Sequence, residues 1–390
     1  MAGLYEYLAW RGDITFSKCP LNEIDSLLFS ILAYGNYDGM FSNSDEHDWI
    51  PLKEASVSYE SVTKGGKHVD ESLGFFAEIP TLLERAGKSR RFANVRLGRF
   101  VNTLDTDVAT QFAAMVFSLG KTRHFIAFRG TDTHLVGWKE DLRMSFMDEI
   151  PAQQLAAKYV DKVMGEMEGS FHLGGHSKGG NLAVYSAVKS SVAHQKRILS
   201  IFNHDGPGFQ PQFIESDGYV KMVEKIHTFI PKSSIVGILL EHGGDHKAVA
   251  STQISILQHD PFSWQVEGSH FVYEEGLAKG VLAIKQAVRS WLSEVSREEK
   301  EHFVKAFCEL LEATGAYTLE DLNKDKLQAA YSILKAYTHM GRESRANLKK
   351  TVDIFFKMSR KSFKETFLEE IDHLLPKKKT EREKLPEQTD

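Results

Sequence analysis

The pentapeptide Gly175–Gly179, with the sequence GHSKG, is the feature that most constrains how this chain folds. It follows a short apolar segment, Phe171–Leu173, and precedes a stretch rich in small residues over 179–187. This order predicts a strand, a sharp turn and a helix, with Ser177 in strained backbone geometry at the turn. The flanking glycines are needed because a Cβ there would clash with the adjoining strand and helix. The serine hydroxyl is therefore expected to stand clear of its neighbours.

Strands and helices are predicted to alternate around this unit. The apolar runs Phe112–Leu119 and His124–Phe128 indicate a hairpin, and residues 152–167 indicate a helix. Further strands are expected at Ile198–Phe202 and Lys225–Ile230. The alternation predicts an α/β fold with a mainly parallel sheet and helices on both faces.

Composition divides the chain into four regions. Residues 1–105 are expected to pack as a helix and loop segment on an α/β core over 106–290. Residues 291–375 are predicted to be helical, including a helix near Ile354–Phe367. Residues 376–390 are mostly charged and almost free of apolar side chains, which predicts a disordered tail.

The first region is predicted to contain a helix over Ile24–Leu32, capped by Asn22 with Asp25 three residues further on. Residues 36–70 are rich in Gly, Asn, Asp and Ser and predict loops. Several arginines within 82–100 are predicted to form a solvated basic face: Arg90, Arg91, Arg96 and Arg99.

Charge and cysteine content exclude several classes of protein. The formal net charge is −5 with both signs interspersed, so no nucleic-acid partner is expected. The two cysteines, Cys19 and Cys308, are predicted to be unpaired thiols in a reducing compartment. The start of the chain does not resemble a secretory signal and no run reaches ~18 apolar residues, which predicts a cytoplasmic protein without a transmembrane segment. Without an HExxH motif or clustered Cys and His, no metal or cofactor is expected.

A serine hydroxyl becomes a good nucleophile only beside a base that an acid orients, and after such a turn the acid and the histidine follow in that order. Asp205 is the predicted acid, since it follows a strand and opens the turn Asp205–Gly208 at the carboxyl edge of the sheet. Its alternative role is to bond its own backbone in that turn. Asp245 and Asp260 remain alternative acids.

His259 is the predicted base because it lies in a loop that Pro261 ends, near the same sheet edge. His242 is the second candidate, and three more histidines lie downstream of the serine: His227, His246 and His270. The backbone N–H of Lys178, at the helix N-terminus, is a predicted oxyanion donor. The second predicted donor is Thr131, which follows the strand His124–Phe128, through its N–H and its hydroxyl.

Three motifs resemble the class 3 lipases: FRGT at 128–131, Trp138 with Asp141, and GHSKGGNLA at 175–183. The resemblance covers about residues 110–265 and implies that Thr131 is an oxyanion residue and Ser177 the nucleophile. The chain departs from that family at Ser233–Gly237, where serine stands in place of the family's acid. Lys178 also replaces the commoner leucine.

Over nearly its whole length the chain is similar to the Mbeg1-like family of bacterial α/β hydrolases. The likeness rests on WRGD at 10–13, DGPG at 205–208, and QHDP at 258–261 with Trp264. It implies an α/β-hydrolase-type fold and a catalytic triad, and it brings no substrate with it.

These features predict a serine hydrolase that cleaves carboxylic esters, lipid esters among them, through an acyl-enzyme. A peptidase or acyltransferase with the same triad stays open as an alternative, as does peripheral contact with a membrane. A further alternative is a catalytically inactive protein that binds partners through its helical C-terminal region.

Overall fold

The computed structural model describes residues 2–41, 49–63, 74–107, 109–318, 321, 326–342, 344–350 and 353. Its main sheet has eight strands in sequence order. They are β1 Trp49–Pro51, β2 Arg96–Asp105, β3 Thr110–Ser118, β4 Arg123–Phe128, β5 Ser170–His176, β6 Ile198–His204, β7 Ile226–Pro231 and β8 His246–Val249. The pairs from β1 to β4 are antiparallel, and those from β4 to β8 are parallel. The predicted hairpin and the mainly parallel sheet are confirmed.

Helices connect and cover these strands. They are α1 Leu4–Arg11, α2 Glu23–Leu32, α3 Leu52–Thr63, α4 Ile79–Lys88, α5 Leu135–Arg143, α6 Pro151–Glu166, α7 Lys178–Lys189, α8 Val192–Arg197, α9 Pro211–Ile214, α10 Asp217–Met222, α11 Lys279–Glu294, α12 Arg297–Glu312 and α13 Lys326–His339. A small ribbon joins β9 Val266–Glu267 to β10 His270–Phe271.

The sheet is buried on both faces, as predicted. Successive side chains of a strand point to opposite sides, so each central strand serves two apolar cores. On one face, Met115 and Phe117 of β3 pack in a cluster with residues of α1, α2 and α4. On the other face, Ala114 and Val116 pack in a cluster with residues of α6 and α7. The helices therefore fix the sheet from both sides and leave its edges for loops.

The first region differs from its prediction. Asn22 caps α2 as expected, accepting the N–H groups of Ile24 and Asp25. The prediction of loops over 36–70 is wrong for 49–63, which form β1 and α3. Arg91 is also not solvated: its guanidinium is buried and lies 2.5 Å from a carboxylate oxygen of Asp25. The strands β1 and β2 belong to the main sheet although they lie before residue 106, the predicted start of the α/β core. The division of the chain into domains stays a prediction.

The C-terminal region is helical as predicted, and it packs against α5. The N–H of Leu135 donates to the carbonyl of Tyr317 at 2.9 Å, and Lys139 lies 2.6 Å from Glu312 of α12. The helix predicted near Ile354–Phe367 and the tail 376–390 lie outside the described residues. No helix of the described part combines the length and apolar character needed to cross a bilayer.

Candidate active site

Ser177 occupies the turn between β5 and α7, in the conformation that the GHSKG motif predicts. Its φ is 56° and its ψ is −135°, a region that residues with a Cβ rarely adopt. A Cβ on Gly175 would lie 2.2 Å from the carbonyl carbon of Gly179, so only glycine fits there. The Ser177 N–H donates to the carbonyl of His204 at 2.9 Å, which holds the turn against the end of β6. The serine is half-buried.

Asp205 repeats this arrangement one strand further along the sheet. It follows β6, has a φ of 52°, and its N–H donates to the carbonyl of Phe229 at 2.8 Å. Its carboxylate is fully buried. It accepts the Ser234 hydroxyl at 2.6 Å and the Gly237 N–H at 3.1 Å. Burial raises the pKa of Asp205, and the bonds from His259, Ser234 and Gly237 oppose that rise.

His259 is brought to Asp205 by the turn Ser255–His259, which follows β8. Its Nδ1 lies 2.6 Å from Asp205 Oδ2, so Nδ1 carries the proton when the aspartate is ionised. The ring is 23% exposed, which leaves Nε2 as the nitrogen that can act as a base. Gln258 ties this loop to the segment after β7, because its side chain accepts the Ser233 N–H at 2.7 Å.

His176 joins the loop of His259 to the serine turn. Its Nε2 lies 2.9 Å from the carbonyl of His259, which can only accept, so Nε2 carries the proton. The rings of His176 and His259 lie with centroids 4.5 Å apart. Burial, and next the charge of His259, lower the pKa of His176 well below its ordinary value, so it stays neutral. The residue next to Ser177 thus anchors the predicted base.

The alternative acids have other positions. Asp260 accepts the Phe262 N–H at 2.9 Å in the following turn, and Asp245 is exposed in the loop before β8.

Among the other histidines, His242 Nε2 donates to the carbonyl of Gly237 at 2.8 Å. Three more have exposed side chains on strands: His227 on β7, His246 on β8 and His270 on β10. Asp205 and His259 are the predicted acid and base that the structure brings into contact.

The loop that carries Thr131, one of the two predicted oxyanion residues, lies against the turn of Ser177. A Cβ on Gly130 would lie 3.1 Å from the Ser177 Cβ, so the loop before Thr131 runs directly against the turn. The Thr131 hydroxyl donates to Asp141 Oδ2 at 2.5 Å. Its single proton is therefore engaged in this structure, which leaves the N–H as the group for the predicted role of oxyanion donor.

The side chain of Lys178 turns away from the serine. Its Nζ is buried and lies 2.9 Å from Glu140 Oε2 and 3.5 Å from Asp141 Oδ1. We call Asp205, Ser234 and His259 the base side, and Thr131, Glu140, Asp141 and Lys178 the oxyanion side. No role was predicted for Ser234 or Glu140. For Ser234 a signal existed, because it lies in the segment where class 3 lipases carry their acid.

Apolar side chains surround this edge of the sheet. Phe75 packs edge-on against His176 with centroids 5.5 Å apart, and Phe76 stacks on Phe75. Ile256 and Leu257, on the turn that carries His259, are 57% and 58% exposed. In the described part of the chain, no three His, Cys, Asp or Glu side chains are grouped as a metal site would require.

The fold is thus of the α/β-hydrolase type, and Ser177 lies at its strand-to-helix turn between β5 and α7. The chain belongs to the Mbeg1-like family, whose model matches residues 86–309. The WRGD motif at 10–13 lies outside that match. This chain is similar to the crystal structure of M37 lipase with a TM-score of 0.34 and 17% identity, over 55% of this chain and 69% of the lipase chain. No curated protein matches it.

Proposed function

We propose that the protein is a serine hydrolase that cleaves carboxylic esters through an acyl-enzyme. The observation that carries the proposal is the pair formed by Asp205 and His259, 2.6 Å apart and tied through His176 to the turn of Ser177. A buried carboxylate that bonds one imidazole nitrogen fixes the tautomer and stabilises the imidazolium that forms during catalysis. The second support is the strained turn itself, which is typical of such nucleophiles.

In the proposed reaction, Ser177 Oγ attacks the ester carbonyl and its proton passes to His259 Nε2. The carbonyl oxygen becomes an oxyanion that accepts from the N–H groups of Lys178 and Thr131. As the C–O bond breaks, His259 gives the proton to the departing alcohol. Water, activated by His259, then attacks the acyl group, releases the carboxylic acid and restores Ser177.

The apolar surroundings favour esters over peptides as substrates. Phe75 packs against His176, Phe76 stacks on Phe75, and Ile256 and Leu257 are exposed on the turn that carries His259, so apolar side chains lie near both histidines. Such surface can bury an acyl chain or an apolar alcohol, at about 25 cal/mol per Å² of area removed from water.

The test is hydrolysis of p-nitrophenyl esters with acyl chains of increasing length. We expect Ser177→Ala to lose on the order of 10⁴–10⁶ in kcat while it keeps its fold. Ser58→Ala, an exposed serine on α3, is the matched control and should keep wild-type activity. Ser177→Ala with wild-type activity contradicts the proposal, and so does a folded wild-type protein that is inactive on every ester tested.

A further inference from the structure

Lys178 is a fully buried lysine directly after the nucleophile. Its side chain is 1% exposed and lies in contact with two carboxylates. An ammonium group leaves water only at a cost of several kcal/mol unless a charge and hydrogen bonds compensate it. A leucine at this position would meet no such cost. Packing alone therefore does not explain a lysine at this position.

Glu140 is the fixed end of this contact. Its Oε2 accepts the N–H of Gln111, at the start of β3, at 3.1 Å. Its Oε1 accepts the N–H of Ala152, in the first turn of α6, at 2.9 Å. Both carboxylate oxygens are thus held by backbone groups of two different elements. Lys178 consequently joins the nucleophile turn to a rigid point between β3, α5 and α6.

Asp141 is the second carboxylate, and it leads to the oxyanion loop. One of its oxygens receives the Thr131 hydroxyl at 2.5 Å, and the other lies 3.5 Å from Lys178 Nζ. Thr131 and Lys178 are the two residues whose N–H groups the proposed reaction uses. A continuous path of contacts therefore runs from one oxyanion donor to the other through Asp141 and the lysine side chain.

We propose that the Lys178 side chain is a positioning residue that sets the two halves of the oxyanion hole and offsets part of the negative charge of the two carboxylates behind it. The inference rests on the proposed function. Without the lysine, Asp141, which accepts the hydroxyl of Thr131, would repel the negative charge that forms on the substrate oxygen. The lysine reduces that repulsion, and its contact with Asp141 holds the loop of Thr131 in place.

The test compares Lys178→Met with wild type in ester hydrolysis, with enzyme concentration set by phosphonate titration of the active sites. Methionine keeps the apolar stem and the backbone N–H but removes the cation. We expect kcat to fall by about 10–100-fold, somewhat less than for loss of a whole oxyanion donor, with KM little changed. Because titration counts only competent sites, a lysine that serves stability alone would leave kcat at the wild-type value.

Two further variants keep the result decisive. Lys178→Gln retains a donor towards Glu140 and covers the case in which Lys178→Met does not fold; its kcat should fall similarly. Lys225→Met is the matched control, because Lys225 Nζ holds the carbonyls of Gln195 and Ile198 at the opposite end of the sheet. It should lower stability and leave kcat unchanged.

Wild-type kcat in both Lys178 variants overturns this inference alone, since the enzyme would still hydrolyse esters. A wild-type protein without esterase activity overturns the proposed function and this inference together. An equal fall of kcat in Lys225→Met would also count against a specific role for Lys178.

Discussion

The base side and the oxyanion side of Ser177 hold buried carboxylates in different ways. Asp205 is bonded by a hydroxyl, a backbone N–H and the ring of His259, which changes charge during the proposed reaction. Glu140 and Asp141 instead face Lys178, whose charge is permanent. In the proposed reaction the base side passes a proton, whereas the oxyanion side keeps its charges fixed. In this account a carboxylate takes part in proton transfer when its partner is a histidine, and positions other residues when its partner is a lysine.

The largest effect is expected from removing the group that passes the proton. His259→Ala should lose on the order of 10⁵–10⁶ in kcat, and the double variant with Ser177→Ala should be little worse, because a triad acts as a unit. His242→Ala is the matched control, since His242 Nε2 donates to the carbonyl of Gly237. If His242→Ala were inactive and His259→Ala active, the base would be His242.

Asp205→Asn should come next, with a loss of about 10⁴ in kcat and a small change in KM. Asparagine tolerates the positive φ of this position and can form the same turn, so the fold should persist. A nearly silent Asp205→Asn, measured by ester hydrolysis and thermal unfolding, would mean that Asp205 only shapes its turn.

Ser234→Ala should have a smaller effect, about tenfold on kcat/KM. It removes one of the donors to Asp205 and leaves the Gly237 N–H and His259 in place. A tenfold loss corresponds to ~1.4 kcal/mol, at the lower end for a hydrogen bond to a charged group. A loss as large as that of Asp205→Asn would instead make Ser234 part of the reacting set, and an unchanged kcat/KM would remove it from the base side.

The sheet next to the base side should also be the acid-sensitive part of the fold. Burial, and next the charge of His227, lower the pKa of His204 from 6.5 to about 3. Between those values the unfolded chain binds a proton at this position that the folded chain does not bind. Stability should therefore fall as the pH drops below 6.5, with a contribution of up to ~1.4 kcal/mol per pH unit from this one histidine.

Urea unfolding of wild type and His204→Gln between pH 7 and 5 measures this contribution. The variant should show a pH dependence smaller by about one proton. Equal slopes in the two proteins would show that His204 does not titrate in this way.

Much of the fold could be predicted because its signals are local. The GHSKG motif, its apolar strand and its small-residue helix specify the turn of Ser177 within a few residues. The cap of α2 by Asn22 is equally local. The contact of Asp205 with His259 spans 54 residues, yet it followed from the rule that carboxyl ends of parallel strands share an edge.

The predictions that failed are those for which the local sequence was misleading. In helix α3, polar residues separate the buried side chains of Leu52, Ala55 and Tyr59, so the composition of this segment indicated loops. Arg91 is paired with Asp25, 66 residues away, and no prediction was made for the pairing of Lys178 with Glu140, 38 residues away. Charged side chains resemble surface residues in a sequence, and only the three-dimensional partner shows that they are buried.

The most direct test of the account is to map where a fluorophosphonate binds covalently. Such a probe reacts with a serine only where a base has activated its hydroxyl. The account predicts a single phosphonyl adduct on Ser177 by peptide mass spectrometry, absent from Ser177→Ala and strongly reduced in His259→Ala. An adduct on a different serine, or ester hydrolysis that continues with Ser177 unmodified by the probe, would contradict it.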